Sequence, residues 1–492
     1  MAPADHDNQP EIAQLRAQLK NRDAQLVEII AKLAEIIAKL AERDVLIDAL
    51  NERIVDLEGH VEKVRREGKR LAAPFSKGKK NGESSKPGRK GGGTDGKHDF
   101  RRPPDREPDR VVDVLLPLLC TCCGSPDIEF DKTVHQWTED IPPPTTILTR
   151  FDIEVGHCNS CDKRIQPRHG EQVSDATGAA SSMLGPRVLA LAAELHYVFG
   201  LSFVKTARHL ERFGINVTAS GVTQALERIG RKGTPTYEEL KQYIANSPVV
   251  SPDETGWRIG GDKAWLWAFA TPDVTVYAIA KTRSYDDAIV VLGKDYEGTL
   301  VRDGWAPYRR FTKATHQTCI AHLMRRCRGL TDTLSQEHTY IPARIKDVLG
   351  AGLAFRDARP AGQITQDELA NAIDVLRSRL DVLIATPTTN DEVRKLLKHL
   401  GTERDAMFTF LVDEQVDATN WRSEQAIRPA VVNRKVWGGN RTHKGARTAE
   451  VIITLARTAA QQGADAVAIF MDLLLSPSPI VANLIPNQAA GP

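Results

Sequence analysis

The sequence predicts a multidomain α+β protein, and three observations lead to this fold class. The first 66 residues carry a sustained heptad pattern, which indicates a long helix. Two Cys-x-x-Cys pairs follow further along the chain. From residue 248 short β-type runs replace the helical period, and helices follow them. A chain of 492 residues is long enough for about three domains of roughly 150 residues each.

The composition argues against a secreted protein and against a membrane protein. Hydrophobic residues make up 41% and charged residues 26%, and the net charge is +2, all of which is ordinary for a soluble protein. The N-terminus lacks a basic region followed by an apolar core, and the longest apolar run, at 466–475, is too short to span a bilayer. Seven cysteines do not form an even disulfide set. We therefore expect a cytoplasmic location.

Residues 10–66 predict a coiled coil. With Ile12 at position a, only Arg22 and Arg43 interrupt the apolar a and d positions, and the block EIIAKLA at 28–34 is repeated at 35–41. Such regularity favours a homo-oligomer over the alternative, a single amphipathic helix packed on a globular body. Residues 67–110 are rich in Gly, Pro, Lys and Arg, so we expect a disordered linker. Its basic half fits either a tract that follows a phosphate backbone or a solvated tether.

Residues 111–170 are expected to form a zinc-binding, zinc-ribbon-like module. The two knuckles are Cys120 with Cys123 and Cys158 with Cys161, in LCTCCGSPDIEF and HCNSCDKR. Four thiolates suit a tetrahedral, structural Zn²⁺ and leave no open position for water. Cys122 is then a spare thiol, and a stretch with strand character, Thr145–Val155, separates the knuckles.

Residues 183–232 have the pattern of a helix-turn-helix. A first helix is expected over 203–212 and a turn at 214–216, with Thr218 or Ser220 as the cap of the second helix. The side chains of that helix that could contact bases or phosphates are Ser220, Thr223, Gln224 and Arg228. An ordinary helical hairpin fits the same pattern.

A mixed sheet is predicted from residue 247 onward. VVSPDETGWRI, AWLWAFA and VTVYAIA read as three antiparallel strands, SYDDAIVVLG as a helix and GTLVRDGW as a fourth strand. This order is that of a ribonuclease H-like sheet. We assign residues 247–465 to such a catalytic domain, with a helical insertion at about 335–415, and residues 466–492 to a C-terminal tail.

Two acids end strands that would be neighbours in this sheet. Asp253 ends the first strand and Asp303 the fourth, whereas Glu254 points to the opposite face of its strand. The third acid is expected from elsewhere in the chain, and Glu424 is the candidate. With Asn420 as a helix cap, Asn420, Glu424 and Arg428 fall on one helical stripe.

Three carboxylates suit hard divalent cations, Mg²⁺ or Mn²⁺, and two such ions about 4 Å apart can act on a phosphodiester. Cations surround Glu424 in the sequence, and we expect them to hold phosphates: Arg422, Arg428, Arg434, Lys435 and Arg441. Pro429 is expected to end or kink the helix that carries Glu424.

A second metal site is one interpretation of four further side chains, and a packed strand–helix junction is the other. The four are His316, Cys319, His322 and Cys327. Trp305 and Tyr308, just after Asp303, fit either a base-stacking surface or the core.

Several long stretches of the chain together resemble transposases of the insertion sequence 66 family. They are VSPDETGWRIGGDKAWLWAFATPDVTVYAI, LVRDGWAPYRRF, HQTCIAHLMRR and NWRSEQAIRPAVVNRKVWGGNR. The resemblance extends from the zinc module to about residue 465. It implies a catalytic domain of the DDE (Asp-Asp-Glu) type with Asp253, Asp303 and Glu424 as the triad. The extra cysteine of CTCC and the long, glycine-rich linker depart from the family pattern.

The resemblance also implies a function. We expect a transposase whose cysteine module and helix-turn-helix bind the terminal inverted repeats of its element, and whose partners are target DNA and other proteins encoded by that element. Two other classes remain open: a non-catalytic DNA-binding regulator and a structure-directed nuclease with the same fold.

Overall fold

The computed structural model describes residues 13–14, 16–18, 20–21, 32, 102–180, 182–359 and 365–486. The chain divides into two compact units, residues 1–137 and 138–492. The predicted coiled coil at 10–66 and the linker up to residue 101 lie outside the described residues, apart from the short pieces named above. In the part of the chain that is described, no helix is long and apolar enough to cross a membrane.

The region between residues 102 and 155 carries neither a helix nor a strand. The strand predicted at Thr145–Val155 is therefore wrong. Ile147 and Leu148 are 93% and 99% exposed, and a β-type sequence forms a strand only where a partner strand and a packed face are available. The first strands are short: β1 (Gly156–His157) pairs with β2 (Arg164–Ile165) in antiparallel fashion.

In the described stretch from residue 182 onward, three helices precede the large sheet. Helix α1 (Pro186–Ala193) continues into a π-helical turn (Glu194–Val198), and α2 (Phe203–Glu211) and α3 (Ala219–Ala245) follow. The Thr218 hydroxyl caps α3 by accepting a hydrogen bond from the Gly221 N–H at 3.0 Å, as predicted. Helix α3 runs well past the predicted end at residue 232, because its apolar face is buried over its whole length.

The sheet has five strands in the order β5-β4-β3-β6-β7. They are β3 (Val249–Ile259), β4 (Asp262–Ala270), β5 (Thr275–Ala280), β6 (Thr299–Arg302) and β7 (Thr315–Thr318), with α4 (Tyr285–Leu292) between β5 and β6. The first three strands are antiparallel, whereas β6 pairs in parallel with both β3 and β7. The architecture is consistent with the ribonuclease H-like sheet that the sequence predicts. Single 3₁₀ turns lie at Gly178–Ala180, Ala306–Arg310 and Arg404–Ala406.

A helical segment follows the sheet and builds a second apolar core. Its helices are α5 (Ile320–Thr333), α6 (Gln336–Ala358), α7 (Gln366–Ala385), α8 (Asp391–Glu403) and α9 (Thr409–Val412). Their buried leucines and isoleucines pack together with Val301 of β6. The expected helical insertion is therefore joined to the sheet by a shared core at the strand that leads to Asp303.

Three helices complete the fold: α10 (Trp421–Trp437), α11 (His443–Gln461) and α12 (Ala466–Leu475). Pro429 does not end α10, which continues to Trp437. The assignment of residues 466–492 to a tail also needs correction. Phe470, Leu473 and Leu474 of α12 are fully buried in the main core, so this helix belongs to the folded body.

Candidate active site

Strands β3 and β6 bring Asp253 and Asp303 to the same edge of the sheet. Val249 pairs with Thr299 and Val250 with Leu300, and the same offset carried three residues further sets Asp253 opposite Asp303. Asp303 directly follows β6, whereas β3 continues to Ile259, so the prediction that Asp253 ends its strand is wrong. The parallel pairing of β3 with β6 is what makes acids fifty positions apart neighbours. The loop that follows fixes the Asp303 side chain, whose Oδ1 accepts a hydrogen bond from the Trp305 N–H at 2.9 Å.

Glu424 approaches the same edge from the first turn of α10. The helix begins after Asn420, as expected, although the Asn420 side chain makes no capping hydrogen bond. The hydroxyl of Ser423 donates to the carbonyl oxygen of Pro252 at 3.4 Å, which places the start of α10 against the residue before Asp253. One oxygen of the Glu424 carboxylate lies 3.4 Å from Nε2 of His322.

The three acids are close enough to influence one another electrostatically. Burial first, and then the negative charges of Glu254, Asp303 and Glu424, raise the pKa of Asp253 from 3.8 to about 8. Carboxylate oxygens crowded together in this way are the donors that Mg²⁺ and Mn²⁺ prefer. Among the described residues, however, no three His, Cys, Asp or Glu side chains already stand in an arrangement that could hold a metal ion. The donor chemistry thus fits a hard cation, although the side chains are not set as a closed ligand shell.

Glu254 is occupied by partners of its own, in agreement with its predicted position on the opposite face. Its carboxylate accepts hydrogen bonds from the Tyr308 hydroxyl and from Nε of Arg283, the latter at 2.6 Å. The Arg283 guanidinium lies 5.2 Å from the ring centre of Trp265 and 4.3 Å from that of Trp305. Tyr308 is 1% exposed and therefore belongs to the core, whereas Trp305 is only partly buried. Nothing in the local sequence signals the Arg283 contact.

The four His and Cys residues near β7 lie at a packed strand–helix junction. Cys319 and Cys327 are buried. Nδ1 of His316 accepts a hydrogen bond from Nε of Arg302 at 3.2 Å, and its Nε2 lies 3.0 Å from the Phe311 carbonyl oxygen. His322 stands apart from His316 and faces Glu424 instead. The junction interpretation accounts for these contacts.

The predicted phosphate-binding cations differ in their availability. Arg422 is tied to Asp417 at 2.6 Å, and its guanidinium lies 4.7 Å from the ring centre of Trp421. Arg434 is partly buried beside Gly256 of β3. The exposed members of the set are Arg428, Lys435 and Arg441. An exposed side chain can reach a phosphate more readily than one that is partly buried.

The start of α3 exposes part of the predicted DNA-contacting set. Ser220 and Gln224 are exposed, whereas Thr223 and Arg228 are partly buried. The Thr223 hydroxyl donates to the carbonyl oxygen of Ala219 at 2.9 Å. Burial, followed by the charge of Arg231, lowers the pKa of Arg228. Of the predicted set, the first turns of α3 therefore present only Ser220 and Gln224 outward. The buried face of the helix packs in the core over its whole length.

Each cysteine knuckle has a tight turn of its own. In the first, the Gly124 N–H donates to the Cys120 carbonyl oxygen at 2.9 Å, and backbone hydrogen bonds from Cys123 and Cys122 lower the pKa of the Cys120 thiol. In the second, the Asp162 N–H donates to the Cys158 carbonyl oxygen at 2.8 Å, and backbone hydrogen bonds from Ser160 and Cys161 lower the pKa of Cys158. A lowered pKa favours the thiolate, which is the form that binds metal.

A mixed sheet of this order, with one acid within its central strand, a second just after the neighbouring parallel strand and a third on a helix beside them, is consistent with DNA-processing enzymes of the ribonuclease H-like fold. Over residues 181–448 the chain matches the IS66 family of transposases. That stretch is more than half of the chain, and the protein belongs to this family. An uncharacterized protein of Sinorhizobium fredii, y4qI, is 22% identical over 387 residues, which cover 72% of this chain and 70% of that relative.

Proposed function

We propose that this transposase binds the terminal inverted repeats of its own mobile element, cleaves the element ends by metal-dependent hydrolysis and joins the resulting 3′ ends to target DNA. The observation that carries the proposal is the approach of Asp253, Asp303 and Glu424 to one edge of the sheet, in a chain of a transposase family. Fold alone supports many functions, so the argument depends on this site.

The three carboxylates would hold Mg²⁺ or Mn²⁺, which when bound would activate the attacking oxygen and stabilise the leaving one. The protonation of Asp253 would depend on the cation. Its pKa of about 8 means that near neutral pH the side chain keeps a proton until a positive charge displaces it. The site would thus gain the negative charge of Asp253 only when a cation is bound.

One site serves both chemical steps. In the first, water attacks the phosphodiester at the element end and the bond to the 3′ oxygen breaks, which leaves a 3′-hydroxyl. In the second, that hydroxyl attacks a phosphodiester of the target strand in line, and the target's own 3′ oxygen leaves. Each step exchanges one phosphodiester oxygen for another, so no side-chain nucleophile is required.

The other modules would position DNA. Exposed Arg428 and Arg441 are suited to bind phosphates flanking the site, and Ser220 and Gln224 are suited to contact the terminal repeats. The four-cysteine module would hold a structural Zn²⁺. Self-association through residues 10–66 would bring both element ends into one complex. Accessory proteins of the element could join this complex, and the reaction would take place in the cytoplasm.

The decisive experiment compares wild-type protein with Asp253→Asn on labelled element ends. We expect the variant to bind the ends normally in a gel-shift assay and to lose both cleavage and joining in Mg²⁺. Asp286→Asn is the matched control, because Asp286 is an exposed acid in the first turn of α4. It should cleave as wild type does.

Three results would contradict the proposal in different ways. Joining by Asp253→Asn would refute the triad. Cleavage by the wild-type protein without preference for element ends would indicate a structure-directed nuclease. Specific binding without any metal-dependent cleavage would indicate a regulator.

A further inference from the structure

Glu403 is a carboxylate with no exposed surface at the end of α8, and the catalytic proposal above leaves it without a role. Its two oxygens bind two different arginines: Oε2 lies 2.6 Å from Nη1 of Arg302, and Oε1 lies 2.7 Å from Nη1 of Arg309. Glu403 is 0% and Arg302 2% exposed, whereas Arg309 is 35% exposed. Burying such charges is costly, and their pairing is weak evidence for added stability. A role in fixing local geometry is the alternative that the contacts support.

Both arginines reach from Glu403 to the backbone of the loop that carries Asp303. Nη1 of Arg302 donates to the Asp303 carbonyl oxygen at 3.0 Å, and Nη1 of Arg309 donates to the Gly304 carbonyl oxygen at 3.2 Å. One carboxylate of the helical insertion therefore orients two guanidiniums, each of which holds one of two consecutive carbonyl groups. Charge-assisted hydrogen bonds of this kind are short and directional.

Other groups also contact the loop that carries Asp303. The Asp303 carboxylate accepts the Trp305 N–H, so the backbone that Arg309 holds also sets the side chain. The ring of His399, one turn before Glu403, packs so closely on Gly304 that a Cβ there would lie 2.3 Å from the ring. Arg302 is itself oriented by His316, whose ring nitrogen accepts from Nε at 3.2 Å.

We propose that Glu403 is a positioning residue for Asp303: through Arg302 and Arg309 it fixes the 303–304 backbone, so that the helical insertion sets the geometry of the metal-binding carboxylate. The inference deepens the proposed function and rests on it. Groups behind a metal ligand that orient it typically change metal affinity or activity by about 10–100-fold when removed.

The test uses the full-length protein and two variants. Glu403→Gln keeps the shape but offers only one acceptor oxygen, so its amide N–H group opposes one arginine. Arg309→Gln removes one carbonyl contact while leaving the buried Arg302–Glu403 pair intact, and it is therefore the variant expected to fold without loss. Arg404→Gln is the matched control, because Arg404 is the next residue after Glu403 and its ion pair with Asp381, at 2.6 Å, is 40% and 43% exposed and does not reach the loop.

Two measurements separate positioning from a merely structural role. The first is the Mg²⁺ concentration for half-maximal cleavage of element ends, which we expect to rise about tenfold or more in both variants and to stay unchanged in the control. The second needs neither DNA nor activity: amide hydrogen exchange of residues 303–305 should accelerate in both variants and not in Arg404→Gln.

The outcomes distinguish this inference from the proposed function. If the wild-type protein cleaves in Mg²⁺ while both variants keep its half-saturating concentration and its exchange rates, the positioning role is refuted and the function stands. Melting temperatures that fall in the variants without any change in Mg²⁺ dependence would also refute it. If the wild-type protein does not cleave at all, the function fails, whereas faster exchange at 303–305 would still support the backbone clamp.

Discussion

Replacing Asp253 with asparagine should stabilise the protein in the absence of metal, although it removes a group needed for catalysis. The pKa of Asp253 is raised in the folded state from 3.8 to about 8, first by burial and then by neighbouring acids. Between these two values the folded chain binds one more proton than the unfolded chain, so stability falls as pH rises through the window. Asparagine has the same shape but does not titrate, so the variant does not lose this stability as the pH rises.

The size of the effect follows from the same shift. The difference between 3.8 and about 8 corresponds to about 5 kcal/mol at pH 8. Asp253 keeps part of its surface exposed, and solvent screening reduces the cost, so we expect a gain of about 2 kcal/mol for Asp253→Asn. Because pH 4 is close to the unfolded-state pKa of 3.8, ionisation has by then favoured the unfolded state only slightly, and most of the gain should disappear.

Urea unfolding at pH 4, 6 and 8 in the presence of a chelator measures this gain directly. Addition of Mg²⁺ should then make the wild-type protein more stable than the variant. The wild-type protein gains about 2.7 kcal/mol at a metal concentration one hundred times the dissociation constant, whereas the variant lacks one ligand and gains less. Asp286→Asn should behave as wild type in both series. A variant that is less stable than wild type at pH 8, or equal Mg²⁺ stabilisation of both proteins, would refute the electrostatic account of the site.

Three further predictions concern other parts of the chain. Asp303→Asn and Glu424→Gln should each abolish cleavage and joining but retain binding of element ends in a gel shift; residual joining by either would remove that acid from the triad. Gly439→Ala should cost about 2 kcal/mol or more, since its φ is +103° and a Cβ would lie 2.6 Å from a carbonyl oxygen of β3. Urea unfolding measures this. The comparison is Gly350→Ala, which lies inside α6 with open space around it and should stabilise by up to about 1 kcal/mol. Cys158→Ser should lose zinc in metal analysis, and unchanged zinc content would contradict the four-thiolate site.

The parts of the fold that local patterns predict are those whose physics is local. The strands of the sheet alternate with turns, the Thr218 cap precedes α3, and Glu424 lies in the first turn of its helix, all of which depend on residues within a few positions. The neighbourhood of Asp253 and Asp303 was also predictable, because the order of antiparallel and parallel strands fixes which strands are neighbours.

What the sequence does not reveal is pairing over long separations. Glu403 binds Arg302 across 101 positions of the sequence, and Glu254 binds Arg283 across 29. The hydrophobic periodicity of the sequence does not indicate such partners. The apolar run at 466–475 was recognised as too short for a membrane but not as a core helix, since a short apolar segment has the same pattern in both settings. The strand prediction at 145–155 is wrong because, in the described structure, no partner strand pairs with these β-type residues.

The single acid in a basic segment is explained by how α10 is fixed to β3. At its start Ser423 bonds to the Pro252 carbonyl oxygen, and beyond its end Asn440 pairs with Ile259 and accepts a hydrogen bond from the Trp257 indole at 2.8 Å. The fourteen steps from residue 423 to residue 437 span roughly 21 Å as a helix, and the seven steps from residue 252 to residue 259 span roughly 23 Å as a strand.

Helix and strand are thus matched in length between two anchors, which leaves little freedom in the position of the first turn. Glu424 is held there next to Asp253, while Arg428, one turn further along the same stripe, is already exposed. The acid and the cations of this segment therefore serve different surfaces of one helix. The anchors, rather than the local charge pattern, place the first turn of the helix beside the part of β3 that carries Asp253.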